Sequence, residues 1–243
     1  MDRIVLDRNI DIGKEVLIKG PPLEALSFQG GRVGSLITLT DSQGNDFRGR
    51  ITRFSREEAS IHIFDSFSST TESSVEIILL QALPEKERME LIIQKATELG
   101  VSTIIPFRSE RSISLEEREA KQKKAHRWQE IAVKAVQQSR RAKVPRVEHY
   151  RQFIEALGIC MEDGLKILFY EKKGENLKSL LRQYQPKKIY AMVGPEGGFT
   201  EEEVILAKHQ GFIPVKLGQR ILRTETAAIA LVGILQYELG DLN

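Results

Sequence analysis

The chain has 243 residues, 41% hydrophobic and 29% charged, with a formal net charge of +2. That length suits one or two domains with a real core, and the even charge balance excludes a polycation, so any nucleic-acid surface must come from local clustering. A single cysteine, Cys160, excludes an internal disulfide framework and fits a reducing compartment, while the four histidines are scattered without metal-ligand spacing, so no metal is expected. No apolar run approaches the roughly 20 residues of a membrane span and no signal pattern opens the chain, so a cytoplasmic protein is expected.

The first 65 or so residues read as a small β domain. Short β-rich runs at Arg3 to Leu6, Glu15 to Lys19, Ser35 to Thr40 and Ile61 to Phe64 are separated by turn signals. Those signals are Gly20-Pro21-Pro22, Gly30-Gly31 and residues 41–45. Many short strands with frequent turns predict a small barrel. Residues 65–74 are polar and Ser/Thr-rich, which reads as a linker and predicts domains at 1–72 and 73–243.

From Val75 the pattern alternates strand and helix. Strands are predicted over Val75 to Leu80, Val101 to Phe107 and Lys166 to Tyr170. Helices are predicted over Glu85 to Leu99, Leu115 to Arg141 and Asn176 to Tyr184. Met89, Ile92, Ile93, Ala96 and Leu99 recur at helical spacing, and Gly100 stops that helix. Such alternation predicts a parallel sheet with helices on both faces.

Arg108, Arg111 and the stretch from Arg118 to Arg146 hold 12 of the 36 lysines and arginines. Between Glu110 and Glu130 acids interleave, as on a solvated helix face where Glu117 and Lys121 form an i,i+4 pair. From Arg140 through Arg141, Lys143 and Arg146 no acid intervenes until Glu148, which favours a phosphate-binding surface.

Two apolar runs, Lys188 to Val193 and Phe212 to Leu217, each end in glycine and precede a helix. Both loops therefore leave the carboxyl edge of a parallel sheet, where ligands bind. Gly194, Gly197 and Gly198 allow close approach to the backbone. Thr200 and Glu203 form a capping box that starts a helix. Glu201, Glu202 and Glu203 open it; they suit the helix dipole but repel phosphate. Neither GxxxxGK[ST] nor GxGxxG is present, so a phosphate cofactor is disfavoured and a neutral or cationic nucleoside ligand is expected. The last helix, Thr224 to Leu239, is apolar on almost every side. It must be covered, either within the chain or by a second copy.

Gly194-Pro195-Glu196-Gly197-Gly198-Phe199, followed by Leu217-Gly218-x-Arg220-Ile221-Leu222-Arg223-Thr224-Glu225-Thr226-Ala227, resembles the ribosomal RNA small subunit methyltransferase E family of the SPOUT superfamily. Further matching segments are Glu98-Leu99-Gly100-Val101, Glu110-Arg111-Ser112, and Trp128 with Gln138-Ser139-x-Arg141. Two departures stand out. The barrel segment from Leu23 to Gly34 lacks the family's Val-Leu-Arg triplet. Gln137-Gln138-Ser139-Arg140-Arg141 replaces the usual Glu-Gln-Ser-Gly-Arg, which makes this segment more positive.

The resemblance implies an α/β fold: a SPOUT-type parallel sheet with a C-terminal trefoil knot, preceded by a PUA-like β-barrel. It implies an S-adenosylmethionine (SAM) site formed by Tyr170, Gly194, Pro195, Glu196, Gly197, Leu217, Gly218, Ile221, Leu222, Thr226 and Ala227. It implies homodimers with that site at the subunit interface, and methyl transfer to N3 of a uridine in 16S ribosomal RNA of the assembled small subunit. Arg223, Glu196 and Glu225 are the expected catalytic groups. Arg108, Arg111, Gln138, Ser139, Arg140, Arg141 and Arg220 are the expected RNA contacts. The alternatives are an RNA-binding relative without turnover, a SAM-dependent enzyme acting on another RNA, and an α/β enzyme using a phosphate cofactor.

Overall fold

The computed structural model describes residues 3–28, 30–43, 45–67, 72–112, 125–139, 141–160 and 162–242. Two compact units form, Met1–Glu72 with Arg140–Val144, and Ser73–Ser139 with Pro145–Asn243.

In the first unit, β1 (Arg3–Val5), β2 (Glu15–Ile18), β3 (Leu36–Thr40), β4 (Asp46–Phe54) and β5 (Ala59–Phe67) form one sheet in the order β1-β3-β4-β5-β2. β1 runs parallel to β3 and the other neighbours are antiparallel. Ile18, Leu26, Leu39, Ile51, Ile61 and Ile63 fill its core. Gly20-Pro21-Pro22 is not the simple turn expected from the sequence. It opens helix α1 (Pro21–Phe28), which buries Leu23 and Leu26. Proline is tolerated there because a first-turn N–H has no helical partner to lose.

Strand β4 also escaped the sequence reading. Its DFRGRITRF run looks too charged to be half-buried, yet Arg48 is 3% exposed. The Arg48 guanidinium donates to the Arg141 carbonyl, and burial lowers its pKa from the ordinary arginine value. Residues 141–144 join this unit through further bonds. Thr38 Oγ1 donates to the Ala142 carbonyl at 2.8 Å. Arg141 Nη2 meets Glu72 Oε2 at 2.7 Å, and the Lys143 N–H donates to Glu72 Oε1 at 2.9 Å.

The second unit is built on a wholly parallel sheet. Its strands are β6 (Glu76–Ala82), β7 (Thr103–Arg108), β8 (Arg146–Val147), β9 (Arg151–Gln152), β10 (Leu165–Phe169), β11 (Glu175–Asn176), β12 (Lys188–Val193) and β13 (Ile213–Lys216). The order is β11-β13-β10-β12-β6-β7-β8, with β9 also pairing β7. Every pairing is parallel.

Alternate residues of the central strands feed two separate cores. Ile77, Leu79, Ile167, Ile189, Ala191 and Val193 face one side. There they meet α2 (Lys86–Glu98), α3 (Ala125–Ser139), α5 (Leu177–Gln183) and α7 (Thr224–Leu239). Ile78, Leu80, Leu168, Tyr190 and Met192 face the other, against α4 (Phe153–Ile159) and α6 (Glu201–His209). This is the sandwich that strand-helix alternation predicts.

Of the long helix expected over 115–141, residues 113–124 lie outside the described residues, and with them the Glu117–Lys121 pair; the described part is α3. Helix α4 was not foreseen from its short run, FIEALGI. A capping box between Gln152 and Glu155 starts it. Helix α7 buries Ala227, Ala228, Leu231, Val232 and Leu235, but leaves Tyr237 60% exposed and Ile234 36% exposed. One chain therefore covers only part of this apolar helix. No helix among the described residues is long and apolar enough to cross a membrane.

Candidate functional site

A cavity of about 390 Å³ opens at the carboxyl edge of the parallel sheet, between the loop after β12 and the segment leading into α7. Gly194 to Phe199 form one wall, and Ile221 to Thr224 with Ala227 form the other. Phe169, Glu171 and Val193 at the ends of β10 and β12 close its base, and Arg88 of α2 completes it.

Local chemistry shapes the first wall. Gly198 sits at φ +67, a conformation L side chains rarely adopt, and a Cβ there would come 3.0 Å from Glu171 Oε1. A Cβ on Gly194 would come 3.1 Å from the Phe199 ring, which is buried and stacked on Phe107 at 6.3 Å between centroids. Side chains at these two positions would crowd the Phe199 ring and the Glu171 carboxylate, both of which line the cavity. The capping box expected at the start of α6 is present. Glu203 N–H donates to Thr200 Oγ1 at 3.2 Å and Thr200 N–H donates to Glu203 Oε2 at 3.0 Å.

Glu203 does more than cap its helix. Its carboxylate accepts from Ser109 Oγ at 3.1 Å and from the Glu110 N–H at 2.9 Å. That fastens the loop after β7 beside the glycine loop, where Arg111 Nη1 donates to the Gly197 carbonyl at 2.9 Å. Across the cavity, Thr224 Oγ1 donates to the Gly194 carbonyl at 2.6 Å and accepts from Gln81 Nε2 at 3.1 Å. The two walls are thus joined at their base by a buried hydrogen-bond chain.

The structure brings together Gly194, Pro195, Glu196, Gly197, Ile221, Leu222, Arg223 and Ala227 around the cavity. Tyr170 does not line it; its ring is buried in the core on the α4 and α6 side, while its neighbours Phe169 and Glu171 reach the cavity. Leu217 packs partly buried against the other core, and Gly218 lies exposed in a turn at φ +72. Thr226 is exposed in the first turn of α7, and Glu225 faces Arg88 across 3.9 Å.

Among the expected RNA contacts, Arg108, Arg111, Gln138 and Arg220 are exposed and Ser139 is half-buried. Ser139 Oγ donates back to the Ala135 carbonyl of its own helix at 2.8 Å. Arg140 lies outside the described residues. Arg141 departs from the expectation of an outward phosphate ligand. It is 5% exposed and its guanidinium is engaged by Glu72, because this stretch is folded into the first unit's core.

Arg88 and Glu171 line the cavity although the sequence reading missed both. Arg88 sits in α2, far from the glycine loops in sequence. Glu171 lies just past the end of β10, beside the Tyr170 that the resemblance implies as a site residue. No group of three or more His, Cys, Asp or Glu side chains among the described residues could hold a metal ion.

Comparison with known proteins fits this architecture. A family model described as an RNA methyltransferase domain matches residues 71–236. Ribosomal RNA small subunit methyltransferase E of Bacillus subtilis is 33% identical over 84% of this chain and 82% of its own length. The Aquifex aeolicus protein of the same name is 32% identical over 79% of this chain and 82% of its own. A crystal structure of ribosomal RNA small subunit methyltransferase E from Neisseria gonorrhoeae, bound to SAM, covers 100% of both chains at 34% identity with a TM-score of 0.71. A SAM complex from Legionella pneumophila aligns over 99% of both chains at 30% identity, TM-score 0.68. With its parallel sheet, its glycine-walled cavity and these relatives, the chain belongs to the ribosomal RNA small subunit methyltransferase E family.

Proposed function

We propose that this protein is a SAM-dependent methyltransferase that modifies N3 of a uridine in 16S ribosomal RNA, within the assembled small subunit and in the cytoplasm. The observation that carries the reading is the cavity itself: a glycine-rich wall, an apolar base and two carboxylates, Glu171 and Glu196, with cationic Arg88 and Arg223 lining it and Arg111 bonded to the Gly197 carbonyl. Its residues fit SAM. Carboxylates suit a ligand carrying a sulfonium and an ammonium, apolar Phe169, Val193 and Leu222 suit an adenosyl group, and the glycines of the loop after β12 let it approach the backbone closely.

Bound SAM supplies an electrophilic methyl group; this chain's residues do the positioning. N3 lies on the Watson–Crick edge of uridine, so the base must be unpaired or flipped to reach the cavity. Arg223 is exposed at the N-cap of α7 and lines the cavity, which suits it to neutralise the base as the N3 proton leaves. Glu196 and Glu225 remain candidates for assisting that departure. Arg108, Arg111, Gln138 and Arg220 are exposed and suit phosphate or base contacts.

The first unit is proposed as a PUA-like RNA-holding module, on the strength of its small sheet of short strands. The C-terminal path is proposed as a trefoil knot, supported by β13 pairing β10 while α7 starts against the loop after β12. A homodimer is proposed because α7 leaves Ile234 and Tyr237 uncovered.

The test is transfer of a labelled methyl group from SAM to small ribosomal subunits lacking the modification, with the product nucleoside identified by mass spectrometry. 3-Methyluridine, abolished by Arg223→Ala or Gly197→Trp, is the expected result. SAM binding without transfer to those subunits would exclude this substrate, and absence of SAM binding would sink the reading altogether.

A further inference from the structure

Arg88 occupies a position that local preference disfavours. It lies in the first turn of α2, where the helix dipole favours anions and a cation is unwelcome. Such local conflicts tend to mark functional positions. Carboxylates surround it instead. Arg88 Nη1 lies 2.9 Å from Glu196 Oε1, Nη2 lies 3.5 Å from Glu85 Oε2, and Nε lies 3.9 Å from Glu225 Oε2. Glu196 Oε1 also accepts the Glu85 N–H at 3.0 Å, and so caps α2 from the glycine loop. Glu225 Oε2 is sealed from water with no hydrogen-bond partner among the described residues, which leaves Arg88 as the cation set beside it.

Glu196 belongs to one wall of the cavity and Glu225 to the first turn of the helix that carries the other. We propose that Arg88 is a positioning residue: its fork ties the loop after β12 to the start of α7 and sets the spacing of the walls for SAM. A guanidinium suits this task because its donors diverge in a fixed plane and reach two carboxylates at once, which an ammonium on a flexible stem does not reproduce. Without it, Glu196 and Glu225 become uncompensated like charges, and the walls separate. The proposal rests on the reading that the cavity takes SAM.

Charge and geometry predict opposite signs, which makes the test sharp. Removing Arg88 adds one net negative charge beside a cationic ligand, so Coulomb attraction alone predicts equal or tighter SAM binding. A positioning role predicts weaker binding, by roughly tenfold or more on loss of a charge-assisted hydrogen bond. Calorimetric titration of SAM into wild type, Arg88→Ala and Arg88→Lys reads this directly, with near-ultraviolet circular dichroism reporting the fold. The expected order of affinity is wild type, then Lys, then Ala. Unchanged or tighter binding by Arg88→Ala overturns the proposal alone. If that variant does not fold, Arg88→Lys carries the test: it keeps the charge, so equal affinity overturns the proposal and a loss of about threefold supports it. A wild-type protein that does not bind SAM removes the cofactor reading, and this proposal with it.

Discussion

The hydroxyl of Thr224 donates a 2.6 Å hydrogen bond to the carbonyl of Gly194, 30 residues earlier in the chain. Both groups are buried, and the bond links the start of α7 to the end of β12 beneath the cavity. Thr224→Val keeps the volume but leaves the Gly194 carbonyl without this donor. A buried acceptor stripped of its partner costs about 1–3 kcal/mol. Urea denaturation should show that loss together with weaker SAM binding, and Thr224→Ser should restore most of both.

Gly198→Ala tests the glycine loop. The residue sits at φ +67 and an added methyl would press on Glu171. Left-handed backbone costs a non-glycine residue about 1–2 kcal/mol. Weaker SAM binding is expected from the variant by calorimetry, with the far-ultraviolet circular dichroism of the wild type. Binding at wild-type strength would show that the loop relaxes without harm to the site.

Glu72→Ala should destabilise the first unit. Arg141 is paired with Glu72 at 2.7 Å, and Arg48 is buried close by against the Arg141 carbonyl. Removing the carboxylate breaks this buried ion pair, and breaking such a pair costs up to about 3–5 kcal/mol. Thermal unfolding followed by calorimetry would report the change, and an unaltered transition would deny the pair its structural role.

Cys160 should be inert in the folded protein. It is 1% exposed, its thiol lies 3.5 Å from the Ala156 carbonyl, and burial pushes its pKa up to about 12 from 9.0. A thiol-specific reagent at pH 8 should label it only after denaturation, since the thiolate is the nucleophile. The raised pKa also has a sign for stability. The unfolded chain gives up this proton near pH 9 while the folded one holds it, so this contribution is complete below pH 9 and is lost as pH rises toward 12. Cys160→Ala should flatten that part of the stability–pH profile.

Several features of the site were legible in the sequence. Strands β12 and β13 lay where short apolar runs stopped at glycine, β10 lay where the strand–helix alternation put it, and the Thr200–Glu203 box predicted the start of α6. These are signals read within a few residues. Tyr170 shows the limit of such reading. The end of β10 was the right place, but strand alternation turns Tyr170 into the opposite core and presents Phe169 and Glu171 to the cavity. Helix α1 was missed because Pro21-Pro22 signals a turn and a helix start equally well.

By itself, then, the sequence determined the strand–helix alternation, the glycine loop and the capped helix behind it, because periodicity and capping act between residues at most four apart. Only the tertiary structure decided which charges do what. Arg141 reads as one more cation in a basic run, yet it is folded inward against Glu72. Arg88 reads as an ordinary helix residue, yet it stands between Glu196 and Glu225 at the cavity. Glu203 reads as a cap, yet it also holds the loop carrying Arg111. Ion pairs and hydrogen bonds of this kind join residues roughly 70 to 140 positions apart in the chain, and no local pattern encodes them; they exist because burial brings those groups together and leaves each with no better partner.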